Sequence, residues 1–257
     1  ADVVVGLDQY DISRATAELE WHEISVNGVE FDPAVRDFAN MKFFVPYDWG
    51  PLAFMMRKGS LVEPASLDDL LKPEYRGQIA LQDPRTSSPG LQFLNWVMRV
   101  KGPIDGEKFL RSLLGSVHSI SPSWSTSIGL YNQKKASIVF TYATSPLYYL
   151  IEENSRDHTA LRFTEPHPVQ IELVGIPKFC RECDLAESFV TFLLSPEGQS
   201  IIMKKNYMLP VVPSVRAGTS FQDIFVGVPT LPVEVPTNSE VNDVLKRWSV
   251  ILRESGS

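Results

Sequence analysis

Gln78-Ile79-Ala80-Leu81-Gln82-Asp83-Pro84-Arg85-Thr86-Ser87-Ser88-Pro89-Gly90-Leu91-Gln92-Phe93-Leu94-Asn95-Trp96 reads as a short strand, a sharp turn and a helix. Ile79 and Leu81 give the apolar strand, and Pro84, which has no N–H, ends it. Thr86, Ser87 and Ser88 are helix-capping residues, and Pro89 suits a first helical turn. Leu91, Leu94, Trp96 and Val97 then supply an apolar side. A helix start carries free backbone N–H groups and partial positive charge. Hydroxyls placed there add donors, so the turn suits a phosphate or carboxylate. Most capped turns of this kind bind nothing.

The same unit recurs. Trp124-Ser125-Thr126-Ser127 is another polar helix start, before Ile128-Gly129-Leu130-Tyr131. Ser137 to Tyr142 is a buried-type strand, and Ala143-Thr144-Ser145-Pro146 caps a helix running to Glu152. Ala1 to Asp8 reads as a continuous apolar strand of the kind buried on both faces of a parallel sheet. It starts without a lead-in, which suggests a missing N-terminal segment. Tyr10 to Leu19 reads as a helix. Phe43 to Arg57 holds Pro and Gly, so two strands joined by a hinge-like bend are expected. Ser66 and Asp69 make a capping box for a short helix. Asp105 to Leu114 is a further helix, and Val169 to Val174 a strand. Asp184 to Leu194 is amphipathic, with Leu185, Phe189, Phe192 and Leu193 expected toward a core. Ser195-Pro196-Glu197-Gly198-Gln199 opens the next helix, Tyr207 to Val211 is extended, and Glu240 to Arg253 closes the chain as a helix. Strands alternating with helices predict an α/β fold with mostly parallel sheets, with ligand-binding loops at the carboxyl ends of the strands.

The 257 residues suffice for one large domain or two lobes. A net charge of −7 argues against a nucleic-acid partner, which requires a basic surface. No apolar run has the length of a membrane span. No basic, apolar leader precedes the chain, which leaves export open because a mature chain has lost it. Cys180 and Cys183 form the only Cys-x-x-Cys pair. A redox motif at this late position and half of a zinc site are both disfavoured. The four histidines show no metal spacing, and a local disulfide or two thiols with a local role remain. No cofactor motif and no metal site are expected.

Ala1 to Asp8, Val45-Pro46-Tyr47-Asp48-Trp49-Gly50, Gln82 to Gly90, Trp124-Ser125 and Tyr142 to Pro146 together resemble the thiamine-binding periplasmic proteins of bacterial ABC importers, in order and spacing along nearly the whole chain. Leu194 to Gln199 and Tyr207 to Val211 are similar to solute-binding proteins more widely. The resemblance implies a type II periplasmic-binding-protein fold with two lobes and a hinge. It places residues 1–48 and 170–222 in a first lobe, incomplete at its N-terminus, and 49–169 in a second, with 223–257 packing back. It implies capture of thiamine, thiamine phosphate or thiamine diphosphate between the lobes, delivery to an inner-membrane ABC permease, and a periplasmic location.

The same resemblance supplies candidate ligand residues. Thr86 and Ser87 match phosphate-side positions, Trp124 a tryptophan at the ligand with Ser125 beside it, and Tyr148 a ring packing on thiamine. Tyr207 stands where the family has tryptophan. Tyr142 and Asp48 lie in matching motifs, and Asp48 either balances a cation or sits solvated in the hinge. Chemistry agrees, because aromatic faces hold a thiazolium cation and a flat pyrimidine by stacking and cation–π attraction. Two alternatives stay open. One is a thiaminase-like enzyme on the same fold, which needs a cysteine nucleophile. The other is a truncated relative that self-associates through an incomplete first lobe.

Overall fold

The structure is a computed structural model and describes residues 1–255. In chain order its elements are β1 (Val4–Asp8), α1 (Ile12–Glu18), β2 (Phe44–Arg57), β3 (Ile79–Gln82), α2 (Ser88–Leu114), β4 (Ser119–Ser121), α3 (Trp124–Asn132), β5 (Ile138–Tyr142), α4 (Pro146–Glu152), β6 (His158–Ala160), β7 (Val169–Gly175), α5 (Cys183–Leu194), α6 (Pro196–Lys205), β8 (Leu209–Pro210) and α7 (Asn238–Ser255). The chain forms two compact units. Unit 1 holds Ala1–Gly50, Gln170–Ile224 and Val233–Asn238; unit 2 holds Pro51–Val169, Phe225–Pro232 and Ser239–Ser257.

In unit 1, β7 lies between β1 and β2, and β8 also pairs with β2. The expectation of a central, parallel first strand is corrected. β1 is an edge strand, antiparallel to β7, with Val5 47% exposed. Gly6, at φ +88°, shifts the register between Val5 and Leu7, so the apolar run is broken by a bulge. The Ser195-Pro196-Glu197-Gly198-Gln199 motif does structural work at both ends. Ser195 Oγ accepts from Gly198 N to cap α6. Buried Gln199 donates to the carbonyls of Tyr47 and Leu193 and accepts from Val211 N, tying β2, α5 and the segment after β8 together.

Cys180 and Cys183 form a disulfide at the start of α5, which settles the open alternatives in favour of a local bridge. The expected orientation of α5 is corrected as well. Ala186, Val190, Leu193 and Leu194 face inward, whereas Leu185, Phe189 and Phe192 stay exposed. An apolar arc wider than one buried stripe leaves a periodicity argument free to select the wrong edge.

In unit 2 the strand order is β2-β5-β3-β4, with β6 also on β2. β2 runs antiparallel to β5 and β6, while β3 is parallel to both β5 and β4. The sheets are therefore mixed rather than mostly parallel. β2 is one strand of 14 residues, not two. Pro51 is tolerated because the register with β5 begins after it, at Leu52, and the register with β8 covers only Asp48 and Trp49. An aromatic core fills one face of the unit-2 sheet: Phe54 stacks on Phe163 at 5.6 Å and Trp96 on Phe140 at 6.0 Å. Gly102, at φ +76° and followed by Pro103, kinks α2 and separates the 105–114 segment foreseen as its own helix. Among the described residues, no helix is long and apolar enough to cross a membrane.

The start of α2 lies hard against the end of β3. A Cβ built on Gly90 would sit 2.7 Å from the Gln82 carbonyl oxygen and 2.9 Å from the Asp83 carbonyl carbon, both backbone atoms that cannot swing away. Gly90→Ala is expected to cost about 1–3 kcal/mol in urea unfolding, the usual range for overpacking. Gly129→Ala, whose added methyl meets nothing within 4 Å inside α3, is the control and should be neutral or stabilising by up to about 1 kcal/mol.

Candidate functional site

Parallel pairing brings three strand ends of unit 2 to one edge. Gln82 of β3 is level with Ser121 of β4, and Asp83 N donates to the Ser121 carbonyl at 2.8 Å. On the other side, Gln82 Nε2 donates to the Phe140 carbonyl of β5 at 2.9 Å. The turns that leave this edge carry Thr86 and Ser87, then Trp124 and Ser125, and then, after Tyr142, α4 with Tyr148. Six of the eight expected site residues are thus carried by unit 2.

The β3–α2 turn is built by Asp83. Its carboxylate accepts from Arg85 N and pairs with the Arg85 guanidinium at 2.6 Å. Burial works to raise the Asp83 pKa, but the Arg85 hydrogen bonds outweigh it and hold the carboxyl below its usual range. The amides of Thr86 and Ser87 both donate to the Asp83 carbonyl, so they are already used. The Thr86 hydroxyl donates to the Pro122 carbonyl at 2.7 Å and joins the two turns. Ser87, at the N-cap of α2, makes no side-chain capping bond, and its Oγ is buried without a hydrogen-bond partner. The turn therefore offers an anion the Ser87 hydroxyl at a helix start, while the Thr86 and Ser87 amides are spent on Asp83.

Ser123 caps α3, accepting from Thr126 N, and its hydroxyl is 3.0 Å from Ser125 Oγ. Trp124 stands at the first position of α3 with 37% of its surface exposed. Its indole Nε1 donates to Thr141 Oγ1 at 2.8 Å, and Thr141 Oγ1 lies 2.8 Å from Ser145 Oγ. The Tyr142 ring is 6.4 Å from Trp124, tilted by 53°. Tyr148 is 41% exposed on α4. Thr141 and Ser145 were missed as contributors. The one available signal was their hydroxyls at the end of an apolar strand and at a helix cap.

Asp48 and Tyr207 are carried by unit 1. The expectation of a solvated Asp48 is corrected: the residue is fully buried. Its Oδ2 accepts from Asn206 Nδ2 at 2.8 Å, beside a network in which Tyr47 donates to Glu172 at 2.6 Å. Burial first, and the Glu172 charge second, push the Asp48 pKa well above the usual carboxylate range. Tyr207 follows the C-cap of α6 with φ at +56°, the left-handed position that normally favours glycine. Such strain in a bulky residue persists only where the surroundings enforce it. A separate groove of about 610 Å³ in unit 1 is lined by Leu19, Trp21 and Phe43, and none of the expected residues reaches it. Its charged groups are matched internally, Lys178 with Glu20 and His22 with Glu187. Among the described residues, no group of side chains fits a metal ion.

Residues 28–223 match the bacterial extracellular solute-binding protein family. The chain is 32% identical to the thiamine-binding periplasmic protein of Escherichia coli, over 91% of this chain and 72% of that one. The chain belongs to this family. It is 34% identical to the thiamine-binding periplasmic protein of Salmonella typhimurium, and there the match spans 64% of the relative's length. A solved periplasmic thiamin binding protein superposes with a TM-score of 0.83 at 29% identity, covering 98% of this chain and 78% of that one. A fructose-6-phosphate-bound periplasmic binding protein from Actinobacillus pleuropneumoniae gives 0.84 at 20% identity, a likeness of fold. The chain is a solute-binding protein by family, and its relatives are periplasmic binding proteins.

A buried acid with a raised pKa gives a signed prediction. The protonated Asp48 stabilises the fold below the ordinary carboxylate pKa, and that contribution is lost as pH rises through the folded-state value. Asp48→Asn keeps a neutral hydrogen-bonding group. We expect it to raise the melting temperature relative to wild type at pH 8 and to lose that advantage toward pH 4, as read by circular dichroism.

Proposed function

We propose that this chain captures thiamine or a thiamine phosphate in the periplasm and hands it to an inner-membrane ABC permease. The observation that carries the reading is the unit-2 edge, where Trp124 and Tyr148 present exposed aromatic surface beside the hydroxyl turn of Ser87. Thiamine is a flat, permanently cationic heterocycle. Stacking on Trp124 supplies cation–π attraction of roughly 0.5–2 kcal/mol, because the ring faces carry the negative end of the quadrupole. The Ser87 hydroxyl at the α2 start suits the phosphate of an ester. The thiamine-binding names of the relatives support the ligand class. Tyr207 and Asp48 belong to unit 1, and their part in binding is a separate question for the same assay.

Titration with thiamine while reading tryptophan fluorescence tests the reading. Saturable quenching is expected, and Trp124→Ala should weaken binding about tenfold or more, the equivalent of losing ~1.4 kcal/mol. Failure of thiamine and of both its phosphates to bind wild type in calorimetry would remove this ligand class. Tyr207→Ala in the same titration reports on unit 1.

Ser87→Ala separates the ligands. Thiamine affinity should change little, while thiamine phosphate affinity should fall about tenfold, since a hydrogen bond to a charged group contributes roughly 1.5–3 kcal/mol. Equal losses for both would place the phosphate elsewhere.

A further inference from the structure

Behind the aromatic edge of unit 2 lies a second polar-aromatic cluster with no part in the site described above. Its members are Arg57 on β2, Tyr131 on α3, Tyr149 on α4 and His158 on β6. The His158 imidazole lies flat on the Tyr149 ring, with centroids 3.7 Å apart and planes 9° from parallel. Its Nδ1 is 2.7 Å from the Tyr131 hydroxyl. The Arg57 guanidinium stands 4.1 Å over the Tyr131 ring and donates to the Tyr131 carbonyl. Tyr149 donates its hydroxyl to Asn132 Oδ1 at 2.7 Å, at the end of α3. The other side of Tyr149 meets Tyr148 edge-on, at 5.3 Å and 90°.

These contacts fix a proton inventory. Tyr131 is fully buried, and burial pushes its phenol up, so the hydroxyl keeps its proton and needs an acceptor. With the imidazole hydrogen assigned to Nε2, His158 Nδ1 is that acceptor and the ring is neutral. The helix that depends on this contact is short. α4 has seven residues, and its N-cap Ser145 makes no side-chain capping bond. A helix of that length has no stability of its own, so packing holds it.

We propose that neutral His158 is a positioning residue for Tyr148: it clamps Tyr149 and thereby α4, and its protonation releases the clamp and weakens ligand binding. The proposal rests on the reading that Tyr148 contacts the ligand. Protonation fills Nδ1, so the Tyr131 hydroxyl loses its acceptor. It also places a cation near Arg57 and Lys58. Asp157 and the face of Tyr149 favour the imidazolium, and the Glu153 charge, at the C-cap of α4, acts on Tyr149. Burial, followed by Arg57, wins over these, and the His158 pKa lies below its ordinary value. The stabilising neutral form is therefore present above about pH 6.5, the ordinary histidine value, and is lost as pH falls through the lower folded-state value.

The test has two readouts on the full chain. Amide hydrogen exchange without ligand follows residues 146–153 against the β3 segment as an internal reference, at pH 7.5 and pH 5. Thiamine titration by fluorescence is run at the same two pH values. Wild type should lose protection in 146–153 at pH 5 relative to pH 7.5 and bind thiamine more weakly there, the direction that follows from loss of the neutral form. His158→Phe keeps a flat ring on Tyr149 but cannot be protonated, and it should flatten both pH profiles. His158→Ala should show the low-pH behaviour at pH 7.5. Identical pH profiles in wild type and His158→Phe, or unchanged protection in His158→Ala, would overturn the clamp. Thiamine that binds with no response of 146–153 removes the clamp and leaves the ligand reading intact. A clamp seen in exchange with no thiamine bound supports the clamp and removes the ligand reading instead.

Discussion

The parallel pairing of β3 with β4 on one side and β5 on the other is the constraint from which the unit-2 site follows. Parallel neighbours end at the same edge, so the turns after them emerge side by side. Here the level pairing of Gln82 with Ser121 and the Gln82 side-chain bond to the Phe140 carbonyl lock the three ends together. The Thr86 hydroxyl then ties the first turn to the second through Pro122. Residues separated by some sixty positions become neighbours because a sheet register, rather than a local motif, places them. A shift of that register by one residue would exchange the faces of every side chain in the strand and disperse the edge.

Local chemistry was legible in the sequence, and direction was not. The cap at Ser195 and the Ser66–Asp69 pairing are formed as their spacing suggests. Each needs only a hydroxyl or carboxylate a few residues from an amide. The pairing sense of β1 depends on a partner 170 residues away, and an apolar run reads alike in either sense. Gly6, whose bulge breaks that run, is a single residue inside an otherwise regular stretch. The orientation of α5 failed for a related reason, since seven apolar residues on twelve positions define more than one candidate face.

Within the candidate site, the residues singled out in the sequence are held by others that it did not mark. Ser87 stands at the hydroxyl-rich start of α2, and Trp124 on α3 and Tyr148 on α4 were singled out by the family resemblance. Thr141 is buried in β5 and read as one more strand residue, yet its hydroxyl takes the Trp124 indole N–H. His167 shows the opposite lesson. It is fully buried, with Nε2 accepting from Phe163 N and Nδ1 at 2.9 Å from the Leu52 carbonyl. Those two bonds fix a neutral tautomer and a purely structural role. A histidine's role is decided by its two partners, and both are long-range facts that spacing does not carry.

The way Trp124 is held bears on how a small ligand is bound tightly by few contacts. A free indole in solvent must be desolvated at its N–H and frozen in one rotamer when a ligand arrives, and both costs subtract from affinity. Here the N–H already bonds Thr141, and the hydroxyl of Thr141 is itself anchored beside Ser145. The polar edge of the ring is satisfied before binding, and the exposed face is what remains to offer. A cation with no hydrogen-bond donor on its charged ring makes the most of such a face, because it asks for no polar partner there. On the proposed reading, rigid rings serve the flat, cationic part of the ligand and the Ser87 hydroxyl an anionic part. These two parts fall to separate turns of one sheet edge, which the Thr86 hydroxyl ties together through the Pro122 carbonyl.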